Sequence, residues 1–517
     1  MLLARGHHES SRLMGFLRSK AGASLATAII LVLALRAVLA GHALLSGDEA
    51  YYWLWSRRLQ LSYFDHPAMM AWWMAASTWA FGTSELTIRL PALFATTLAS
   101  LLVFDTARLA FADVRAGLWA AVWLNVTILF AAAAVTVTPD SPLLAFWAVA
   151  LWALVRLLAE GRGRWLYVLG AAMGLGFLGK YTMVLIAPGV LAVFVLFPQG
   201  RRWLTSRHFY LAIALAAACT APVLVWNLMN DWVSFRKQIA HSFSTPVHDP
   251  LKSLGTFLAT QVGVMTPLIL ALTLWGMGWA LWAGWRRNRP EWFLLGATSA
   301  PVLAFFIHHS LDGLVQPHWP GPAYLGGVMA ALGCWSQGRD GMGRGLRWLY
   351  RAAPALGAVM VAIVYLQMGS ALLPLPPKAD ALSRLGGWDQ LAGRVAARRA
   401  EHSGAFVYVQ KHELSGLLTY YLPGRPVVFL TGSNGAPRIP SYDGADVARL
   451  VGRDGFFVTK TGTSGVDDIA HYFDRVTLVE TVGRSWGGRV IDTYEIWLTE
   501  GYRTGTFGEN ESEGESR

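Results

Sequence analysis

Charge is scarce in this chain. Asp, Glu, Lys and Arg make up 15% of its 517 residues, against 54% hydrophobic residues and 24 Trp, which excludes an ordinary water-soluble protein. Cysteine is scarcer still. Cys219 and Cys334 both lie inside apolar runs, so they read as small buried hydrophobes and leave no disulfide framework or cysteine metal site. Gly-rich phosphate loops, His-Glu-x-x-His and Gly-x-Ser-x-Gly are absent. The sequence therefore offers no nucleotide site and no support for a divalent metal, and any energy-rich donor has to arrive from a membrane.

What fills the chain instead is apolar runs. Runs long enough to cross a bilayer lie near 23 to 45, 86 to 110, 117 to 136, 141 to 158, 164 to 179, 181 to 197, 209 to 227, 255 to 284, 291 to 308, 319 to 335 and 351 to 373, about eleven spans of a polytopic α-helical membrane protein. The run Pro67 to Gly82 is shorter and Trp-rich, and reads as a helix lying along the interface. The basic stretch 1–22 lacks a small-residue cleavage motif, so the first run is expected to stay as a helix with a cytoplasmic N-terminus.

The formal net charge is +11, yet from Lys378 onward 16 Lys and Arg face 18 Asp and Glu. The basic excess belongs to the membrane part, where short cytoplasmic loops collect Lys and Arg, and no nucleic-acid partner is needed to explain it. Putting Arg115, Arg156 to Arg164, Arg201 to Arg207, Arg286 to Arg289 and Arg339 to Arg351 on one side sends Asp48, Glu49, Asp65, Glu85, Asp140, Asp231, Asp249 and Asp312 to the other. Carboxylates at a membrane boundary cost free energy unless solvated, paired or used.

A composition shift at Pro374-Leu-Pro-Pro377 closes the membrane region, 23–376. Residues 377–507 alternate helical stretches (Trp388 to His402, Asp443 to Arg453) with β-type runs (405–409, 426–430, 455–458, 476–479, 490–498), which predicts a soluble α/β domain on the outer side. The acidic tail 508–517 is expected to be disordered.

Polar residues that carry chemistry concentrate on the predicted outer side. In Ser46 to Pro67, Asp48, Glu49, Asp65 and His66 sit among six aromatic side chains; the alternative is a solvated loop anchored by an aromatic belt. Asp140, in Thr138-Pro-Asp140-Ser-Pro, reads either as a site carboxylate or as a helix cap. Lys180 in Gly179-Lys-Tyr181 either snorkels to headgroups or meets an anionic ligand. His318 in Pro317-His-Trp-Pro320 is a ligand contact or an interfacial polar group. His241 and His248 would make a metal site with Asp65 if brought together, although their spacing is not diagnostic.

In these motifs, Asp48-Glu-Ala-Tyr-Tyr-Trp-Leu-Trp, Tyr63-Phe-Asp-His-Pro67, Thr138-Pro-Asp140, Gly179-Lys-Tyr181 and Pro317-His-Trp-Pro320, the chain resembles the GT-C glycosyltransferases. It is most similar to the bacterial family 39 and family 83 branch, which holds protein mannosyltransferases and the lipid A aminoarabinose transferase. The resemblance covers nearly the whole membrane region in motif order. It implies transfer of a sugar, with inversion, from a polyprenyl phosphate to a cell-envelope acceptor. Asp48 matches the family's essential first-loop Asp, Asp140 its second acidic position, and Tyr52 and Lys180 its lipid-phosphate contacts; Asp48 and Asp140 are thus the catalytic candidates, and Glu49, Asp65, His66 and His318 are further candidate substrate contacts. His66 stands where the aminoarabinose transferase has Lys, a departure that weakens that substrate because neutral His binds phosphate less firmly.

Expelling a polyprenyl phosphate needs cations near the departing oxygens, for which Lys180 and a protonated His66 are candidates. A hydroxyl acceptor needs a base, and Asp48 suits by position; a phosphate acceptor needs none. The outer loops are expected to fold over one cavity lined by Asp48, Glu49, His66, Asp140 and Lys180. A transporter or flippase of lipid-linked sugars is the competing reading, opposed by the missing internal repeat and by acids gathered at one face instead of mid-membrane. A non-catalytic envelope scaffold would leave Asp48, Asp140 and Lys180 without a shared purpose.

Overall fold

The computed structural model describes residues 20–242, 249–338, 340–376, 380–431, 437–438, 447–463 and 465–503. Its contacts divide the chain into two units: the chain up to Ala40 with Arg58–Tyr365, and Gly41–Arg57 with the chain from Leu366 on. Residues 41–57, with Asp48 and Glu49, thus group with the C-terminal part of the sequence, while Asp65 and His66 fall in the larger unit.

The larger unit is helical. Among the described residues six helices are long and apolar enough to cross a membrane: Glu85–Phe111, Asp140–Glu160, Arg207–Met229, Pro267–Arg286, Pro290–Asp312 and Arg344–Ser370, the last running on into the second unit. Two bent pairs, Thr27–His42 with Gly47–Ser56 and Val114–Asn125 with Ile128–Val135, would raise the number to eight. The chain is a polytopic helical membrane protein as expected, and several of the expected runs are short or broken. Arg164–Phe177 has 14 residues, about 21 Å of helix against a hydrocarbon core of roughly 30 Å. The run 255 to 284 is two helices, Pro250–Met265 and Pro267–Arg286, broken at Thr266, whose φ of 62° no helix accommodates. The Trp-rich run after Pro67 forms the short helix Met69–Phe81.

Without a hydrophobic drive between helices in lipid, close backbone contact holds them together. Gly170 and Gly174, one turn apart, bring Arg164–Phe177 against Arg207–Met229; a Cβ on Gly170 would meet the Ala212 carbonyl oxygen at 2.2 Å, and one on Gly174 that of Ala216 at 2.5 Å. The buried Arg36 is satisfied by neutral groups, Nε donating to Tyr365 Oη at 2.9 Å and a terminal nitrogen to Asn125 Oδ1 at 2.7 Å.

The second unit contains a six-stranded sheet. In chain order the strands are β1 Phe406–Val409, β2 Val428–Thr431, β3 Pro437–Arg438, β4 Gly455–Lys460, β5 Arg475–Trp486 and β6 Arg489–Glu500, arranged β3-β2-β1-β4-β6-β5. β2, β1 and β4 are parallel, with Val407 beside both Val428 and Phe456, and the helix His412–Tyr421 makes the crossover from β1 to β2. β5 and β6 close a hairpin through Gly487-Gly488, both at positive φ as a two-residue turn demands. Phe406, Tyr408, Phe429, Phe457, Phe473 and Tyr502 fill one core. The α/β reading holds, with His412–Tyr421 as an unanticipated helix. The expected helix Asp443 to Arg453 shows only a single 3-10 turn, Val447–Leu450, in its described part, and the tail 508–517 lies outside the described residues.

Candidate active site

In the larger unit the polar motifs meet. Gly179 packs on the start of Asp140–Glu160, where a Cβ would lie 3.0 Å from the Leu143 amide nitrogen. That approach puts Lys180, at the head of the 3-10 turn Tyr181–Ile186, against Asp140: Lys180 Nζ donates to both carboxylate oxygens at 2.9 Å. Both side chains are buried. Asp140 is not the helix cap, a position Pro139 occupies, yet its place in the first turn favours its negative charge. Lys180 does not snorkel.

His318 brings Nε2 to 3.5 Å from Asp140 Oδ2, and the Trp319 ring lies 5.5 Å from Lys180 Nζ. Two buried side chains hold that turn: Gln261 Nε2 donates to the Pro317 carbonyl at 3.1 Å, and Tyr324 Oη donates to Gln261 Oε1 at 2.8 Å. On another side, the tight turn bridged by Ser62 and Pro67 carries Asp65 and His66, and the amide of Met69 donates to the Leu178 carbonyl at 2.9 Å, tying this turn to the Lys180 loop. Asp65 pairs with Lys237, and its carbonyl accepts from Gln238 Nε2 at 2.9 Å.

Burial, then the charge of Lys180, pull the His66 imidazole down to about 4. His318 is lowered too, again by burial first. His66 is therefore neutral at pH 7, which removes it from the cations expected to face a leaving phosphate and leaves Lys180.

Asp48, Glu49 and Tyr52 lie in the second unit, on the helix Gly47–Ser56. Ser46 caps it, accepting from the Glu49 amide at 3.3 Å, while Glu49 Oε2 accepts from Ser46 N at 3.0 Å. Glu49 is fully buried in this capping box, a placement that argues for holding the helix and not for touching substrate. Tyr52 stacks edge-on with Trp55 at 4.9 Å. The helix packs on His412–Tyr421: a Cβ on Gly416 would meet the Ala50 carbonyl carbon at 2.6 Å, Tyr51 and His412 rings lie 4.4 Å apart, and Leu45 N donates to Tyr421 Oη at 2.7 Å. Solvent reaches Asp48, but surrounding protein raises its carboxyl above the usual range, with Glu413 the next cause; His412 and Arg384 oppose.

Several neighbours went unnoticed in the sequence: Trp319 and Gln261 around His318, Lys237 on Asp65, and Glu413, His412 and Arg384 around Asp48. The run Pro317-His-Trp-Pro320 already contained Trp319; nothing marked the others. Among the described residues no three His, Cys, Asp or Glu side chains gather as a metal site, and the side chains of His241 and His248 lie outside the description.

Comparison with known proteins finds sugar transferases. The family described as dolichyl-phosphate-mannose-protein mannosyltransferase matches residues 65–226. The chain is 30% identical over 288 residues to the lipid A galacturonosyltransferase RgtD of Rhizobium johnstonii, covering 55% of this chain and 59% of that protein. It is 28% identical over 309 residues to the undecaprenyl phosphate-alpha-4-amino-4-deoxy-L-arabinose arabinosyl transferase 1 of Sodalis glossinidius, covering 54% and 53%. These matches span little more than half the length of either relative. In fold the chain is similar to ArnT from Cupriavidus metallidurans, solved in the apo state and bound to undecaprenyl phosphate, with a TM-score of 0.64, 17% identity and coverage of 93% of this chain and 98% of that one. The resemblance to GT-C membrane glycosyltransferases stands on sequence and fold alike.

Proposed function

We infer that this chain is an inverting glycosyltransferase that moves a sugar from a polyprenyl-phosphate donor to a cell-envelope acceptor, lipid A being the first to test, at the outer face of a bacterial inner membrane. The N-terminus is cytoplasmic and the α/β domain lies outside, as the basic loops require. The observation that carries the reading is the buried Lys180–Asp140 ion pair, gathered with His66, His318 and Trp319 near helix ends in a membrane protein. Intramembrane ionisable groups so costly to bury are kept for use.

The acceptor oxygen attacks the anomeric carbon, the bond from that carbon to the phosphate oxygen breaks, and the polyprenyl phosphate leaves with the electron pair. Lys180 stabilises the charge growing on the phosphate, while Asp140 holds the ammonium in place. Tyr52, Asp65 and His318 contact the substrates, and neutral His66 serves as a hydrogen-bonding group. With a hydroxyl acceptor the proton goes to Asp48; with a phosphate acceptor Asp48 in its ionised form stabilises positive charge at the sugar ring.

The purified full chain in lipid vesicles, given polyprenyl-phosphate galacturonate, 4-amino-4-deoxy-L-arabinose and mannose with lipid A or a glycan or peptide acceptor, should release polyprenyl phosphate in step with sugar appearing on an acceptor. No release from any donor by folded protein would overturn the reading.

A further inference from the structure

We propose that Glu413, carried by the C-terminal α/β domain, is a positioning residue that acts on the transfer reaction through Asp48, as the second carboxylate that sets when Asp48 is ionised. This rests on the glycosyltransferase reading above. The contact is built by close packing, since a Cβ on Gly47 would lie 2.6 Å from Glu413 Cβ and 3.2 Å from Glu413 Cγ. Only a glycine beside Asp48 lets the two chains approach so closely, and the approach draws Glu413 up against the start of the Asp48 helix.

The surroundings leave Glu413 with its charge unbalanced. Glu413 Oε2 is buried and accepts no hydrogen bond among the described residues, and the ring nitrogen of the adjacent His412 stands 3.6 Å from the other oxygen. Glu413 sits in the first turn of His412–Tyr421, at the positive end of the helix dipole. The charged groups around Asp48 are Glu413, His412, Arg384 and Glu49, and Glu49 is committed to the helix cap. Burial is the first cause of the raised Asp48 carboxyl and Glu413 the second, while His412 and Arg384 favour the ionised form. A like-charge neighbour lifts a carboxyl toward the working pH, where a base accepts protons most effectively.

The test compares wild type, Glu413→Gln and Glu413→Asp in the full-length protein. Asp48 must be ionised to act, so the acidic limb of the transfer pH profile reports its titration. Glu413→Gln removes the opposing charge and should move that limb to lower pH by about one unit, the usual size of a charge-neighbour effect; Glu413→Asp should restore it. A structural role alone would lower the rate at every pH and leave the limb where it was. A hydrophobic carbodiimide, which adds to the protonated acid, read out at Asp48 by peptide mass spectrometry, should show the same shift in its midpoint without any transfer. Glu413→Ala, which keeps the packed Cβ, should shift the midpoint equally and replaces Glu413→Gln if that variant does not fold. An unmoved limb and midpoint overturn the proposal. A shifted midpoint in a protein that transfers nothing upholds the coupling and overturns the transferase reading instead.

Discussion

The Lys180 cluster of one unit and the Asp48 cluster of the other keep their charges in opposite ways. In the membrane unit, Lys180 and Asp140 close on each other at 2.9 Å and the nearby histidines are neutral, so the cluster is balanced before any substrate arrives. In the second unit Asp48 and Glu413 bring like charges together, and one carboxylate oxygen is buried without a donor. A balanced pair suits a group that must hold a fixed charge against a phosphate. An unbalanced one suits a group whose proton has to come and go.

If that contrast is right, the largest effect should come from unbalancing the balanced cluster. Lys180→Ala leaves Asp140 buried without its partner, which typically costs about 3 to 5 kcal/mol. Thermal unfolding should fall sharply, and the double variant Lys180→Met with Asp140→Leu should recover most of the loss while remaining inactive. A single variant as stable as wild type would mean the pair is solvated and the contrast false.

Next in size is the loss of chemistry without loss of fold. Asp48→Asn keeps the shape, and because among the described residues Asp48 caps nothing and pairs with no cation, it should leave thermal stability unchanged while transfer drops by about 10²-fold or more. Near-wild-type transfer would shift the chemistry onto the membrane cluster alone.

Smaller effects probe the scaffold of the second unit. Gly416→Ala pushes a methyl against the Ala50 backbone, an overpacking of about 1 to 3 kcal/mol; hydrogen exchange at residues 47–56 should rise with it. Glu49→Gln keeps most of the capping geometry and should cost no more than about 0.5 to 1 kcal/mol, with transfer close to wild type. A Glu49→Gln variant as inactive as Asp48→Asn would restore Glu49 as a substrate contact.

The fold was largely readable because its signals are local. Hydropathy runs marked the membrane helices, and alternating runs marked β1, β2, β4, β5 and β6. Span number was less readable, since composition does not reveal that Thr266 breaks one run or that Arg164–Phe177 stops short. The site divides the same way. Asp140, Lys180 and His318 announced themselves as charges among apolar residues and do come together. Glu413 and His412 sit in a soluble domain where charge is ordinary, and only the fold, through Gly47 and Gly416, places them beside Asp48. Glu49 stood in the sequence beside Asp48 as a second candidate contact, and only the fold shows it buried in a capping box with Ser46.

The bond from the Leu45 amide to Tyr421 Oη joins residues 376 apart, and that distance is also a delay. The ribosome adds roughly 5 to 20 residues each second, so the Asp48 helix waits roughly 20 to 75 s for the helix it packs on to be made. Throughout that interval Tyr51, Trp53 and Trp55, all buried in the finished protein, wait for the helix His412–Tyr421 that packs against theirs. The nascent chain must shelter an aromatic helix for hundreds of residues of synthesis, and Asp48 acquires its setting only once the helix His412–Tyr421 has been made.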